Sequence, residues 1–476
     1  MKIGEFVGAL NAVVVLQYLK VLAQLFAYLF VVPLVVAVLA RDWLFALIFL
    51  AITVSLFVLA LLRRNHNLET LQLREALVIT AIGYLFFALA GSISFLPISS
   101  FEDAFFEAMS AITTTGLSVL NVTELPASLV FFRSYSQWLG GLGVVVLTLT
   151  VLNHSGRSAS KLYSSEGGRE NIRGNLLSST RMIMAIYGGL TAAAFIVYGL
   201  VGMPWFDALT HALSTLSTGG FSSRVSSIGS YSSSLLNAVV TLFMMLGSVS
   251  FTLFYLSGQV DLKRFILDRQ IQLLVALLFG FGVLFWLLGP LTFSESLFQV
   301  GSALSTSGFE VVTTANLPES ILFLTTLLMM TGGSVGSTAG GLKLLRLLLF
   351  FGIASWVLQK LHLPDEVKLP QRVNKVPLSE KDMHFALVYF LLYLFFATFS
   401  IFMFMLAGFS LMPSLFESIS ALSTVGLSAG ITSSSLPLGL KLLLCFDMWI
   451  GRLEILPVLI LLSPFNWRLS IQKQRS

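Results

Sequence analysis

The chain has 476 residues, 56% hydrophobic and only 11% charged, whereas soluble domains run about 45–50% apolar and about 25% charged. Its net charge of +5 and sequence pI near 9.3 would suit a nucleic-acid binder, but the basic residues alternate between loops instead of forming a patch. These figures exclude a soluble enzyme and a nucleic-acid partner, and point to an all-α integral membrane protein.

A bilayer crossing needs roughly 20 apolar residues at about 1.5 Å rise each. Taken from the N-terminus, stretches of that kind predict spans at 16–40, 43–62, 73–96, 129–152, 178–201, 234–258, 268–289, 319–358, 383–408 and 437–463. The first two stand apart, and the other eight fall into four pairs. Every second loop is basic: Arg63, Arg64 and Arg74; Arg157, Lys161, Arg169, Arg173 and Arg181; Lys263, Arg264 and Arg269; Lys360, Lys368, Arg372, Lys375 and Lys381; then Arg468, Lys473 and Arg475. The intervening loops hold few, mainly Arg41, Arg133, Arg224 and Lys441. By the positive-inside rule this places both termini in the cytoplasm, which agrees with an even number of crossings. The lone Cys445 excludes an intramolecular disulfide.

The outer connection within each pair holds a shorter apolar segment of about a dozen residues, too short to cross and suited to a re-entrant helix. Their ends match at 110–117, 214–221, 302–309 and 420–427: Ser, a small residue, Leu or Ile, Ser or Thr, Thr, any residue, Gly, then Leu or Phe. One such octet is common in turns, but four in register, each before a span, indicate internal repetition. Non-helical backbone at membrane depth must be buried or line a watery path. The candidate cation-binding residues are therefore Thr113, Thr114, Thr115 and Gly116; Ser217, Thr218, Gly219 and Gly220; Ser305, Thr306, Ser307 and Gly308; Ser423, Thr424, Val425 and Gly426. Glycine opens backbone angles that turn carbonyls toward an axis, and four such strands can replace a cation's hydration shell.

Acids near the start of each short helix suit the positive end of its dipole: Glu102 and Asp103 after Ser100, Asp207, Glu295 after Ser294, and Glu417 after Ser414 at capping-box spacing. His211 occupies the place of Glu107 and Glu417 and reads as a polar contact, since no partner His or Cys lies at metal-ligand spacing. The eighth span is interrupted by Gly332, Gly333, Gly336, Ser337, Thr338, Gly340, Gly341 and Lys343. At roughly 1 kcal/mol lost per glycine relative to alanine, that stretch reads as a loop across the conduction path, hence a gate; the alternative is a kink that packs on a neighbour. Arg452 in the last span is an intramembrane charge, functional by default, whose alternative is a structural pair with Glu454 or Asp447.

Together, the octets, the 332–343 loop and the Gly451-Arg452-Leu453-Glu454 end resemble the Trk/Ktr/HKT potassium transporter superfamily. The two extra N-terminal spans and Pro464-Phe465-Asn466-Trp467-Arg468 are similar to the bacterial Trk-type membrane subunit. The resemblance implies ten transmembrane helices, with four helix–pore helix–helix repeats around a pseudo-fourfold pore. On that pattern the chain divides into a two-helix segment at 1–66 and pore repeats at 67–165, 166–262, 263–365 and 366–476. It implies potassium as the transported ion, no organic cofactor in this chain, and a site in the bacterial inner membrane, surrounded by lipid. It also implies a homodimer and a cytoplasmic nucleotide-binding regulatory subunit of the TrkA type. Gly116, Gly220, Gly308 and Gly426 match the superfamily's filter glycines, and Gly116 in place of serine argues for potassium over sodium. The 332–341 loop matches its gating loop and Arg452 its buried pore arginine. A secondary transporter of another cation or small solute is the alternative, and would be expected to show inverted repeats. An enzyme is not expected: no nucleophile–base pairing is evident around His66, His154, His211, His362 or His384.

Overall fold

Where lipid offers no hydrogen-bond partners, an apolar chain satisfies its backbone by coiling into helices, and helices make up nearly all of the regular structure. The computed structural model describes residues 10–61, 72–154, 176–254, 262–362, 372–373, 376–377, 380–464 and 467. The basic residues 63–64, 157–173, 368, 375 and 468–475 that support the topology reading lie outside these. In chain order the helices are α1 (Ala12–Leu39), α2 (Trp43–Leu61), α3 (Leu73–Ser92), α4 (Phe101–Ile112), α5 (Ala127–His154), α6 (Leu176–Leu200), α7 (Trp205–Leu216) and α8 (Ser234–Gly247). They continue with α9 (Leu262–Leu267), α10 (Arg269–Leu288), α11 (Phe293–Leu304), α12 (Glu319–Thr331), α13 (Leu344–Leu361), α14 (Glu380–Leu406), α15 (Leu411–Leu422), α16 (Leu438–Arg452) and α17 (Leu456–Leu462). A two-residue antiparallel ladder pairs Arg372–Val373 with Val376–Pro377.

Seven of these helices, among the described residues, are long and apolar enough to cross a membrane. Their outward faces carry Leu47, Val54, Phe279, Leu391 and Phe395 in the open, as a surface solvated by lipid rather than water should. Inside, α1 and α2 lean on α3 and α5 through a cluster of rings: Phe30 meets Phe49, Phe87 and Phe132 at centroid separations of 6.5, 5.3 and 5.5 Å.

Two spans expected to run unbroken are broken. The stretch 234–258 ends as a helix at Gly247 and resumes at 251; its residues 255–258 lie outside the described ones. Between them the backbone is spent on a neighbour: Ser334 donates to the Ser248 carbonyl at 2.8 Å and Phe251 to the Gly336 carbonyl at 3.1 Å. The stretch 437–463 breaks after Arg452, with Glu454 and Ile455 left-handed (φ 58° and 65°) before α17. Pro457 explains the place of that break, because proline lacks an N–H and its ring clashes with the carbonyl four residues back, that of Leu453, while it is tolerated in the first turn of α17. With α12 and α13 separated by 332–343, three of the four helices that follow the octets are interrupted, and α5 alone runs through.

Candidate functional site

The four short helices α4, α7, α11 and α15 are each 12 residues long, and each ends four residues before its octet glycine. Their starts are capped differently from expectation in two cases. On α11 the cap is Thr292, not Ser294, in a capping box with Glu295. On α15 the helix begins earlier, at Ser410, with Pro413 accommodated in the first turn. Glu417 therefore lies mid-helix and makes no capping box with Ser414. Ser100 caps α4, accepting from the Asp103 N–H at 3.4 Å, and Asp207 sits in the first turn of α7.

At the other end all four helices terminate alike. The N–H of the second octet Thr bonds back three residues and that of the following residue five: Thr114 to Ala111 and Thr115 to Ser110, Thr218 to Thr215 and Gly219 to Ser214, Thr306 to Ala303 and Ser307 to Ser302, Thr424 to Ala421 and Val425 to Ser420. This closure requires a left-handed residue, and Thr114, Thr218, Thr306 and Thr424 adopt φ of 55°, 54°, 57° and 51°. A β-branched residue resists that region, so the same strain at four equivalent places is held by the surroundings.

The glycines then bring the four turns together. A Cβ on Gly116 would stand 2.2 Å from the Gly219 carbonyl oxygen, one on Gly220 2.3 Å from that of Ser307, one on Gly308 1.9 Å from that of Val425, and one on Gly426 2.0 Å from that of Thr115. Each glycine touches the residue just before the next glycine, and the fourth returns to the first. The turns form a closed ring. The N–H groups of the two residues before each glycine are spent on the short helices, and among the described residues no hydrogen bond reaches the carbonyl oxygens of Thr115, Ser307 or Val425. Carbonyl oxygens free of hydrogen bonds, gathered where four short helices end, are groups that can take the place of water around a cation.

The 332–343 stretch lies against one side of this ring. Its Gly340 N–H donates to Thr306 Oγ1 at 2.7 Å, and a Cβ on Gly340 would meet the Ser423 carbonyl oxygen at 2.1 Å. Thr338 Oγ1 donates to the carbonyls of Leu216 at 2.8 Å and Gly247 at 3.0 Å. One loop thus touches the second, third and fourth turns or the helices that carry them. Gly332, Gly336 and Gly341 take positive φ (66°, 80° and 72°), and Gly333 leaves room for the Ser248 carbonyl. Ser337 closes on the Ser334 carbonyl. Lys343 is buried and donates to the Ala339 carbonyl at the loop's exit.

Arg452 completes the contact with the first repeat. Its Nη1 donates to the Thr338 carbonyl at 2.6 Å and its Nη2 to the Gly140 carbonyl at 3.2 Å. It is 2% exposed. It pairs with neither acid considered for it: Glu454 forms an ion pair with Arg346, and Asp447 has no hydrogen-bond partner among the described residues.

Near the outer ends of the short helices and their loops, Asp207 and Glu310 have displaced pKa values. Burial alone would raise Asp207, but hydrogen bonds from Ser223, Arg224 and Tyr231 outweigh it and hold the carboxyl below its ordinary value. Burial pushes Glu310, two residues past Gly308, up to about 7, with Thr314 opposing and Glu417 adding repulsion.

A family model described as TrkH, cation transport protein, matches residues 45–294 and 290–469. The chain belongs to the TrkH family. It is 31% identical over 499 residues to the Trk system potassium uptake protein TrkH of Vibrio parahaemolyticus, covering 95% of this chain and 99% of the relative. It is 31% identical to TrkG of Escherichia coli, named likewise as a Trk system potassium uptake protein, over 84% of this chain and 86% of the relative. An uncharacterized cation transporter of Methanocaldococcus jannaschii is 30% identical over 86% of both chains. The crystal structure of the potassium transporter TrkH from Vibrio parahaemolyticus superposes with a TM-score of 0.83 at 27% identity, covering 96% of this chain and 99% of that one. These relatives are named as transporters, and this TrkH-family chain is a multi-pass membrane protein.

Several residues of this TrkH-family site escape sequence reasoning. Arg133, Arg224 and Lys441 look like outer-loop charges; instead each pairs with an acid of a short helix, at 2.7 Å to Glu107, 2.7 Å to Asp207 and 2.5 Å to Asp103. Gln137 of α5 donates to the Gly219 carbonyl at 2.5 Å and accepts from the Phe221 N–H at 3.2 Å. The signal was a second register. Nine residues before each glycine stand Glu107, His211, Gln299 and Glu417; two after it stand Ser118, Ser222, Glu310 and Ser428. Ser118 donates to Glu107, Ser222 meets His211 Nε2 at 2.9 Å, and Ser428 donates to Glu417 at 2.5 Å. In the third repeat the acid has moved from helix to loop, leaving Gln299 and Glu310.

Proposed function

We propose that this protein takes potassium into a bacterial cell across the inner membrane, through a selectivity filter made of backbone carbonyls of 113–116, 217–220, 305–308 and 423–426. The observation that carries the reading is the closed cycle of glycine–carbonyl contacts, 116 to 219, 220 to 307, 308 to 425 and 426 to 115. A potassium ion entering that ring exchanges water for the carbonyl oxygens of the four turns. The four helix C-termini add partial negative charge, each worth ~0.3–1 kcal/mol and more where water is excluded.

On this reading the chain has ten crossings with both termini cytoplasmic, three of them broken helices, and its four pore repeats run over 67–165, 166–262, 263–365 and 366–476. The 332–343 loop is the gate. It closes the path by lying against the third and fourth turns and the end of the second short helix, and Arg452 holds it there while placing positive charge beside the path. That charge opposes a resident cation, so displacing the loop and the arginine together opens the way. A homodimer with a TrkA-type nucleotide-binding subunit on the cytoplasmic face supplies the regulation, which fits a loop whose far end runs into the cytoplasmic half of α13. An inverted-repeat secondary transporter is disfavoured because the four turns repeat in parallel, one after another around one ring.

Growth of a potassium-uptake-deficient strain at low external potassium tests the function; expression of this chain restores it. Gly116→Ser lowers the ratio of potassium to sodium uptake by radiotracer. An unchanged ratio in a well-folded variant would overturn the filter assignment. Deleting residues within 332–341 raises flux, and an unchanged or lower flux at normal protein level removes the gate.

A further inference from the structure

Of the buried acids among the described residues, Asp447 on α16 differs from the rest. Glu107, Asp103 and Asp207 have their basic partners. Glu75 and Asp268 accept backbone N–H groups at helix starts, and Glu417 accepts from Ser428, Ala429, Ile431 and Thr432. Asp447 is 1% exposed, and neither of its carboxyl oxygens has a hydrogen-bond partner. The hydroxyl that faces it belongs to Ser400 of α14, equally buried and equally unbonded. An ionised carboxylate in a low-dielectric interior needs a cation or several donors, and an ionisable residue within the membrane marks a functional path by default. A carboxyl and a hydroxyl, side by side and both unsatisfied, are satisfied together by one proton: the acid O–H donates to Ser400 Oγ.

We infer that Asp447 is an intramembrane proton-binding site, and that its charge acts on the fourth turn of the ring through Tyr393. The titratable groups facing Asp447 are the Tyr393 phenol on α14 and the Cys445 thiol on its own helix. The charged groups on the other sides of α16 are committed elsewhere: Lys441 to Asp103 of α4, Glu417 of α15 to its own loop, and Arg452 to the Thr338 and Gly140 carbonyls. Tyr393 shares a 2.6 Å hydrogen bond with Ser423, the first residue of the fourth turn, and the Ser423 carbonyl oxygen rests where a Cβ on Gly340 would stand. A negative charge at Asp447 favours a Tyr393 O–H turned toward it and away from Ser423. Proton loss at one buried carboxyl therefore loosens the turn that the proposed gate rests on. The coupling half of this inference rests on the filter-and-gate reading; the proton site does not.

The experiment has two readouts on the full-length protein in liposomes. The first is infrared titration of carboxyl groups. A protonated carboxyl band that disappears on raising pH is present in the unsubstituted protein and missing in Asp447→Asn; in Ser400→Ala it persists but shifts, because its hydrogen bond is gone. The second is potassium flux against pH, in a Glu310→Gln background, because burial pushes Glu310 up to about 7. Above the ionisation of Asp447 the neutral fraction, and with it the closed-gate contact, falls about tenfold per pH unit; flux changes over the same interval, whereas Asp447→Asn is flat there. Absence of any carboxyl band sensitive to Asp447→Asn and Ser400→Ala overturns the proton site. A band that titrates while the two flux profiles coincide overturns the coupling. If no variant passes potassium at any pH, the pore reading fails and the infrared result still decides the site.

Discussion

The four turns at 113–116, 217–220, 305–308 and 423–426 repeat one backbone four times, whereas the helices that follow them take four different courses. In the turns, φ of the threonine two residues before the glycine varies only from 51° to 57° and every glycine packs on the next turn's carbonyl. Beyond them, α5 runs on unbroken, α8 stops for three residues, α12 gives way to a twelve-residue loop and α16 reverses into left-handed backbone. The difference separates two tasks. On the proposed filter-and-gate reading, an ion at the centre of a ring is best held by similar oxygens, which suits a symmetric ring; a gate needs one element that moves while its neighbours stay, which suits an asymmetric region beside it.

The largest effect is expected where the symmetry is tightest. Alanine at Gly116, Gly220, Gly308 or Gly426 places a Cβ within about 2 Å of a carbonyl oxygen and forces a side chain into positive φ, a change that destabilises by more than ~1 kcal/mol. All four variants should abolish potassium uptake to a similar degree in folded, membrane-inserted protein. If one of them transports normally, the ring is not the shared element.

The second prediction sets two repeats against each other. Glu107 is neutralised by Arg133, while Glu417 is held only by neutral donors. Removing one member of a buried ion pair costs about 3–5 kcal/mol, and losing hydrogen bonds to a charged acceptor about 1.5–3 kcal/mol each. Glu107→Gln should therefore lower the unfolding temperature in detergent markedly, with partial recovery on adding Arg133→Met, whereas for Glu417→Gln no single basic-residue change restores stability. Equal rescue in both repeats would show that the pairing is incidental.

Much of the ring was legible because it is written four times. The octets located the turns, the glycines and the ends of all four short helices, since a Ser/Thr-Thr-x-Gly stretch after an apolar run leaves few other ways to close a helix. What lies around the ring was harder to read. Ser248 to Ser250 sits inside a run as apolar as any span, and its break is stabilised by contacts with Ser334 and Gly336, more than eighty residues further along the sequence. Arg133 and Lys441 looked like loop charges because hydropathy cannot distinguish a charge in water from one paired with a buried acid. Pro457 was a local signal for the last break, outweighed by the apolar residues on either side.

On the asymmetric side, Thr338→Val removes the hydroxyl whose one proton is shared between the carbonyls of Leu216 and Gly247 and fastens the loop there, about 0.5–1.5 kcal/mol. It keeps the volume and the backbone. Flux should rise several-fold with the potassium-to-sodium ratio unchanged, because the loosened element is the loop and not the ring. A changed ratio at constant flux would assign Thr338 to selectivity instead.

The smallest effect concerns Asp207, whose pair with Arg224 is half open to water. Its carboxyl is held below the ordinary value near 3.8 by its three donors, so the folded state binds this proton less readily than the unfolded chain. The sign follows from linkage: the contribution is fully present above the unfolded value and fades as pH falls through the lower folded one. Unfolding temperature measured below about pH 4 should therefore drop with acid in the unsubstituted protein, and less steeply in Asp207→Asn, which starts lower at neutral pH. Arg224 is exposed and exposed pairs contribute little, so Arg224→Gln should flatten the profile less than Asp207→Asn does. If the two substitutions acted equally, the arginine rather than Ser223 and Tyr231 would be what stabilises the ionised acid at the start of α7.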